Sequence, residues 1–203
     1  MTQPTRVKTS LDTFAANDQP GYTPANTSGV PLAALSSGND VIGRVGGANA
    51  NVSANFTRPA DTTAYASGDL VANSTTAGSV TKMSFAVSRA TGLGGMIRRG
   101  RLRKSGTGIS GALFRLHLYR ASPTPSNGDN SAWLTDKAAD YLGAIDFTCD
   151  RAFTDGAIAN GVPVTGSEIN FTSDTLYGLL EARGAYTPAS GETFTVELEV
   201  LQN

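Results

Sequence analysis

Strict alternation of apolar and polar side chains is the feature that most constrains how this chain folds. Residues 112–121 and 192–201 show it most clearly. A period of two places neighbouring side chains on opposite faces of a strand and indicates a half-buried strand. In these segments the side chains predicted to face inward are Ala112, Phe114, Leu116, Leu118, Phe194, Val196, Leu198 and Val200.

Further short strands are predicted along most of the chain, separated by Gly, Pro and Asn turns. Their ranges are 41–45, 50–56, 70–71, 80–88, 96–104, 142–147, 168–171 and 175–182. One short helix is predicted at residues 133–141, where Trp133, Lys137 and Tyr141 fall four residues apart. Recurrent strands without intervening helices predict an all-β fold, a jelly-roll-like β-sandwich.

The first forty residues differ from the rest because they hold prolines and glycines but no sustained period. Proline fixes φ and removes a hydrogen-bond donor, which excludes a helix or a central strand here. We therefore predict an extended N-terminal arm at residues 1–40 and a β-sandwich domain at 41–203. Apolar side chains expected to dock the arm on a partner include Val7, Leu11, Phe14 and Tyr22.

Net charge and the distribution of apolar residues limit the kinds of partner that this chain can have. The formal net charge of −1 argues against a nucleic-acid partner, which usually meets a clearly basic protein. No apolar run reaches the roughly 18 residues that cross a bilayer, and residues 1–10 lack the apolar core of a secretory signal. We expect no membrane partner and synthesis in a cytoplasm.

Chemistry-bearing residues are scarce. The single cysteine, Cys149, is interpreted as a small buried apolar residue, and the single histidine, His117, has no partner that the sequence can place beside it. We therefore predict no catalytic residue, no cofactor and no metal. A calcium site made by loops stays open, although Asp146, Asp150 and Asp155 are spaced too loosely for an EF-hand loop.

The segment Gly106–Gly111 matches the G-x-G-x-x-G string of dinucleotide-binding proteins. That fingerprint needs a following helix, whose N-terminus meets the pyrophosphate. Here an alternating strand follows. The glycines are better explained as residues with positive φ in a hairpin connection.

The densest charge lies at residues 98–104 and comprises Arg98, Arg99, Arg101, Arg103 and Lys104. On a strand, Ile97 and the three arginines at 99, 101 and 103 are predicted to share one face. Three interpretations are open: a solvated strand whose charge resists edge pairing, a docking stripe for an acidic subunit surface, or a DNA contact.

Three blocks of sequence resemble segments that recur in small proteins from the structural gene clusters of tailed bacteriophages. They are FTRPADTTAYASGDLV at 56–71, LYRASPTPSNGDNSA at 118–132 and TLYGLLEARG at 175–184. The order and spacing of the blocks also agree with that group. VIGRVG at 41–46 is similar to linkers in the same proteins.

The resemblance implies a virion component of the head or tail without catalysis. Many such proteins look like capsid decoration (cement) proteins, which form jelly-roll trimers over local threefold points of the shell. We therefore expect a non-enzymatic homotrimer on the capsid surface of a virion, made in the host cytoplasm and bound to the major capsid protein.

Two other functions remain open. A tail-tip or fibre-associated module would recognise another tail protein or a host glycan through residues 123–130 and an exposed Trp133 or Tyr141. A virion-borne hydrolase would need an acid/base pair, and no such pair stands at a meaningful spacing.

Overall fold

The alternating segments form eleven strands in the part of the chain that the computed structural model describes, residues 47–203. Two single turns of 3₁₀ helix, Ala77–Ser79 and Ala138–Asp140, accompany them. The strands are β1 Ala48–Thr57, β2 Leu70–Val71, β3 Met83–Ala86, β4 Gly95–Lys104, β5 Leu113–Tyr119, β6 Tyr141–Thr148, β7 Arg151–Phe153, β8 Gly156–Gly161, β9 Ile169–Phe171, β10 Thr175–Ala182 and β11 Thr193–Gln202.

The strands make two antiparallel sheets. Sheet I has the order β1-β11-β4-β8-β7, with β9 also paired to β4. Sheet II has the order β2-β10-β5-β6, with β3 also paired to β10. This arrangement confirms the all-β prediction, and the two most strongly alternating segments, β5 and β11, lie inside their sheets and not at an edge.

One hydrophobic core joins the inner faces of the two sheets. Leu102, Val196 and Leu198 enter it from sheet I, while Leu116 and Leu180 enter it from sheet II, and all five are buried. The alternation in β11 is complete, since every second side chain from Phe194 to Gln202 is buried. Burial of these apolar faces is the main term that stabilises such a pair of sheets.

The helix predicted at residues 133–141 is wrong. Lys137 has a φ of 67°, which interrupts any right-handed helix, and only Ala138–Asp140 make a single 3₁₀ turn. The preceding residues pair with residues 124–126 of the same loop: the Ser126 amide donates to Leu134 O at 2.8 Å, and the Thr124 amide donates to the Asp136 carboxylate at 2.7 Å. These pairings hold the backbone extended where the side-chain spacing indicated a helix.

The hairpin of β7 and β8 lies between the predicted strands 142–147 and 168–171, where the sequence analysis predicts no strand. All three residues of β7 are exposed, and β8 consists largely of small side chains, so neither strand shows clear alternation. The hairpin is antiparallel, with Arg151 opposite Ile158 and Phe153 opposite Gly156.

A β-bulge in β4 corrects the predicted face of Ile97. Ile97 lies opposite Val200, whereas Arg99 lies opposite Glu199, which leaves Arg98 as the extra residue. Ile97 therefore points into the core and is fully buried, while Arg99, Arg101 and Arg103 point outward as predicted.

Residues 1–46 lie outside the described part of the chain. The predicted arm at 1–40, with Val7, Leu11, Phe14 and Tyr22, and the predicted strand at 41–45 therefore stay predictions. Among residues 47–203, no helix is long and apolar enough to cross a membrane.

Candidate functional site

The first two resemblance blocks meet in a buried network, which we call the Arg58 triad: Arg58, Tyr65 and Asp129. The Arg58 guanidinium donates from Nε to the Tyr65 hydroxyl at 2.8 Å and from an Nη to the Asp129 carboxylate at 3.0 Å. The Tyr65 hydroxyl donates to Asp129 at 2.6 Å, and the Ala72 amide donates to the same oxygen at 2.8 Å. The triad therefore fastens two distant loops to each other.

A second buried network, the Lys104 triad, consists of Lys104, Tyr186 and Glu192. Lys104 Nζ donates to Glu192 at 3.1 Å, to the Tyr186 hydroxyl at 2.8 Å and to the Gly106 carbonyl at 2.8 Å. Both charged side chains are fully buried. Lys104 thus lies inside the molecule, which corrects the expectation that it belongs to a surface docking stripe.

The two triads are neighbours built to one plan of cation, tyrosine and carboxylate. The rings of Tyr65 and Tyr186 stack with centroids 6.5 Å apart, and the two residues also form a backbone bridge. Each cation lies over the ring of its own tyrosine, Arg58 at 5.1 Å and Lys104 at 4.7 Å. Burial raises the pKa of both tyrosines, so their hydroxyls stay protonated and act as donors. The triads stabilise the fold and offer no open site.

Two glycines of the G-x-G-x-x-G string, Gly106 and Gly111, allow close approaches beside the Lys104 triad. A side chain at Gly106 would overlap the Glu192 carboxylate, and one at Gly111, where φ is +67°, would overlap the Ala185 carbonyl. Strand β5 follows the string directly, so the helix N-terminus of a dinucleotide site is missing from this segment. Of the string's three glycines, Gly111 alone has the positive φ proposed from the sequence.

The predicted arginine stripe lies on the outer face of sheet I, which we call the arginine face. Arg99 donates to Glu199 at 2.5 Å, and Arg101 donates to Glu197 at 2.7 Å, in both cases across the pairing of β4 with β11. Arg103 lies opposite Thr195 instead. Two of the three arginines are therefore neutralised by the neighbouring strand of the same sheet.

Beyond Arg103 the arginine face becomes partly apolar. Ile158 lies between Arg103 on β4 and Arg151 on β7, since both are its direct cross-strand neighbours. Together with Phe153 and Arg101 it lines a depression of about 380 Å³. Phe153 is 49% exposed. Arg151 and Phe153 were missed from the sequence because β7 was missed. The exposed Arg98 belongs to the bulge and does not line the depression.

The outer face of sheet II carries a second feature, the aromatic depression, with a volume of about 380 Å³. His117 stacks on Trp133 with ring centroids 4.0 Å apart, and Tyr119 and Tyr141 pack edge to face at 5.3 Å. Strand β5 supplies His117 and Tyr119, and strand β6 begins at Tyr141. The loop that connects these two strands supplies Trp133. The lining is His117, Tyr119, Trp133, Thr135, Asp136, Ala138 and Tyr141.

His117 also contacts a pair of charged side chains beside the aromatic depression, Glu181 and its partner Arg183. Its Nε2 lies 2.7 Å from the Glu181 carboxylate, and its Nδ1 lies 3.3 Å from the Tyr141 hydroxyl. Burial lowers the pKa of His117, with the Glu181 carboxylate opposing that shift. Glu181 also accepts from Arg183 at 3.0 Å. The imidazole is therefore neutral near pH 7, and its neighbouring carboxylate has a cation of its own.

Protein partners hold the histidine and the exposed tyrosine that line the aromatic depression. Burial raises the pKa of Tyr141, so its hydroxyl is a poor nucleophile. Both His117 nitrogens already have partners within the protein, so this imidazole is not a free base, whereas Asp136 at the border has a hydrogen-bond partner on Oδ1 only. What the depression offers is a set of aromatic rings with a few polar atoms at the border.

Other reactive groups are occupied. Burial raises the pKa of the Cys149 thiol to about 11, which suits the predicted buried apolar role. The Asp146 carboxylate accepts from Arg115 at 2.6 Å and 2.7 Å, and this contact lowers its pKa. Within the described range 47–203, no group of three or more His, Cys, Asp or Glu side chains could hold a metal ion.

No protein family matches the chain, and neither a curated protein nor a solved structure matches it.

Proposed function

We propose that this chain is a non-enzymatic structural protein of a tailed-phage virion, and that it acts as a capsid decoration (cement) protein. In this proposal its sandwich is jelly-roll-like and forms a homotrimer. It binds the outer capsid surface through the major capsid protein and strengthens the shell by burying area across subunit seams.

The observation that carries the proposal is the arginine face. Its four arginines, Arg99, Arg101, Arg103 and Arg151, stand against two glutamates, Glu197 and Glu199, which leaves two positive charges. Neither Arg103 nor Arg151 has an acidic partner within residues 47–203. Because both cations lie beside the apolar Ile158, this region fits an acidic and partly apolar protein surface.

The use of the resemblance blocks as internal fasteners supports the same proposal. Arg58 and Tyr65 come from the first block and Asp129 from the second, and all three are buried. A sequence block whose residues hold the fold together in this way needs no catalytic residues. The outer face of sheet I offers roughly 600 Å², since its five strands lie about 4.8 Å apart and only β1, β4 and β11 reach about 33 Å in length. That area is at the lower end of the range for stable interfaces, which is about 600–1,000 Å² per partner.

Charge reversal on the arginine face tests the proposal. Arg103→Glu combined with Arg151→Glu should abolish co-sedimentation with capsids that lack this protein, because it turns the attraction to an acidic surface into repulsion. The matched control is Arg89→Glu, an exposed arginine in the loop after β3. Capsid binding of the double variant equal to that of wild type would contradict the proposal.

The predicted arm has a test of its own. Deletion of residues 1–35 should leave a protein that folds but no longer saturates expanded capsids, since the arm is proposed to lie across neighbouring capsid subunits. Folding is checked by circular dichroism and binding by co-sedimentation. Unchanged affinity of the truncated protein would remove the arm from the proposal.

A second candidate function, a tail-tip or fibre-associated recognition module, is favoured by the aromatic depression. The depression places the exposed ring of Tyr141 beside more deeply buried aromatic side chains, and an aromatic lining with a few polar groups is typical of recognition sites. Protein stoichiometry in purified virions separates the two functions. A decoration protein has a copy number that scales with the capsid lattice, whereas a tail module has the few copies set by tail symmetry.

A further inference from the structure

We propose that the aromatic depression on the outer face of sheet II is a binding site for a neutral saccharide, whose ring stacks on Tyr141. Its volume of about 380 Å³ lies within the roughly 300–1,000 Å³ of small-molecule sites. The site is on the sheet opposite the arginine face, so it does not depend on capsid docking.

The aromatic rings form a platform that is already in place. Tyr141 is 42% exposed, and its ring is held by edge-to-face packing on Tyr119 and by the hydrogen bond between its hydroxyl and His117. His117 is in turn fixed between Trp133 and Glu181. The negative face of an aromatic ring attracts the C–H groups of a sugar ring, and a rigid platform loses little entropy when a ligand binds.

Polar atoms at the border can pair with sugar hydroxyls. Tyr119 is 98% buried, and its hydroxyl has no hydrogen-bond partner among the residues that the structure describes, although the side chain lines the depression. Asp136 accepts from the Thr124 amide through Oδ1, while Oδ2 lies 4.0 Å from Lys137, beyond hydrogen-bond distance. One hydroxyl and one carboxylate oxygen are therefore available to a ligand.

The charges around the depression select a neutral ligand. Asp136 has Lys137 as its ion partner, Asp140 pairs with Arg120 at 2.8 Å, and Glu181 pairs with Arg183. With each carboxylate paired, the depression holds no uncompensated anion that would favour a cationic ligand. A neutral His117 adds no positive charge that would favour an anion.

The chain provides its own reporter, because Trp133 is its single tryptophan and lines the depression. The full-length protein is titrated separately with D-glucose, D-galactose and N-acetyl-D-glucosamine, and Trp133 fluorescence is followed together with saturation-transfer NMR of the sugar. Choline is the cationic comparison probe. We expect at least one sugar to give a saturable change and choline to give none.

Variants locate the binding. Tyr141→Ala should weaken the sugar's affinity about tenfold by removing the platform, and Tyr119→Phe should weaken it about fivefold by removing the hydroxyl. The matched control is Phe153→Ala, which removes a similarly exposed ring from the other sheet and should leave the affinity unchanged. The Arg103→Glu, Arg151→Glu double variant should also bind sugar normally, which separates this proposal from capsid docking.

Three outcomes would overturn the inference. The first is that none of the three sugars gives saturable binding. The second is that Tyr141→Ala binds as tightly as wild type while remaining folded. The third is that choline binds in place of the sugars, which would identify the depression as a cation cage.

Discussion

Ion pairs occur in two very different regions of this molecule. Lys104–Glu192 and Arg58–Asp129 are closed off from water beside the core, whereas Arg99–Glu199 and Arg101–Glu197 lie in the open on the outer face of sheet I. Their distances are similar, between 2.5 and 3.1 Å. Distance therefore does not distinguish them, and burial decides what each pair contributes.

The difference follows from solvation. A buried charge that loses its partner keeps the full cost of leaving water, so removing one member of such a pair is expensive. An exposed charge that loses its partner is hydrated again, so the pair contributes little. The inner pairs act as fasteners of the fold, and the outer pairs adjust the charge that the arginine face presents.

The largest effect is expected for Lys104→Met. It leaves Glu192 buried without its cation, and we expect a loss of about 3–5 kcal/mol in the free energy of unfolding, measured by urea denaturation. Lys104→Met combined with Glu192→Gln should be less destabilised than Lys104→Met alone, because no unpaired charge remains. A loss below about 1 kcal/mol for the single variant would show that Lys104 is not a fastener.

A smaller loss is expected for Asp129→Asn, about 2–3 kcal/mol by the same measurement. Asparagine keeps the volume but not the charge, and Arg58 retains a second carboxylate in Asp61 at 3.2 Å. Asp61→Asn, at the exposed end of the network, is the control and should cost less than Asp129→Asn. The reverse order would contradict the assignment of Asp129 as the central acceptor.

The pH dependence of stability tests how His117 is held beside Glu181 on the outer face of sheet II. Because its folded pKa is lowered below the ordinary value of 6.5, the unfolded chain binds the proton more readily. The stability contribution is complete above pH 6.5 and is lost as the pH falls towards the folded pKa, with a slope of at most about 1.4 kcal/mol per pH unit.

The measurement compares wild type with His117→Gln, which keeps a donor for Glu181 but cannot titrate in this range. Urea denaturation between pH 7 and pH 5 should show the difference in stability between the two proteins changing with pH. A constant difference would mean that His117 does not bind its proton differently in the folded and unfolded states.

The smallest effect is expected on the arginine face. Arg99→Gln should change the free energy of unfolding by no more than about 1 kcal/mol, and its coupling to Glu199→Gln should shrink further in high salt. A double-mutant cycle in low and high salt measures both. A coupling as large as that of Lys104 with Glu192 would remove the distinction between the two regions.

The longer strands were largely predictable from the sequence because one face of each is buried against the core, whereas β7 has no buried residue and was missed. The range of β10 was predicted to the residue, and β11 to within one residue at each end. Two other errors arose where a local interaction overrides the side-chain period. A bulge turns Ile97 inward, and a loop pairing keeps residues 133–136 extended despite their helical spacing.

The candidate sites were only partly predictable. His117, Trp133 and Tyr141 were each noticed separately, but their meeting depends on how the loop at 124–136 pairs with itself, which no periodicity encodes. The sequence places Lys104 on the surface because it continues the run of arginines at residues 98–103. On strand β4 it falls in alternation with Leu102, and the acid that permits its burial lies 88 residues further along the chain.

The close approach of Gly106 to Glu192 limits which substitutions this sequence can accumulate at the two positions and at Lys104. A side chain at position 106 needs the volume that the Glu192 carboxylate occupies, so a shorter residue must first arrive at 192. That step in turn strips Lys104 of its counterion. Gly106 should therefore be lost only after Glu192 has been replaced, and changes at 104 and 192 should accompany each other, because either change alone leaves an unpaired buried charge.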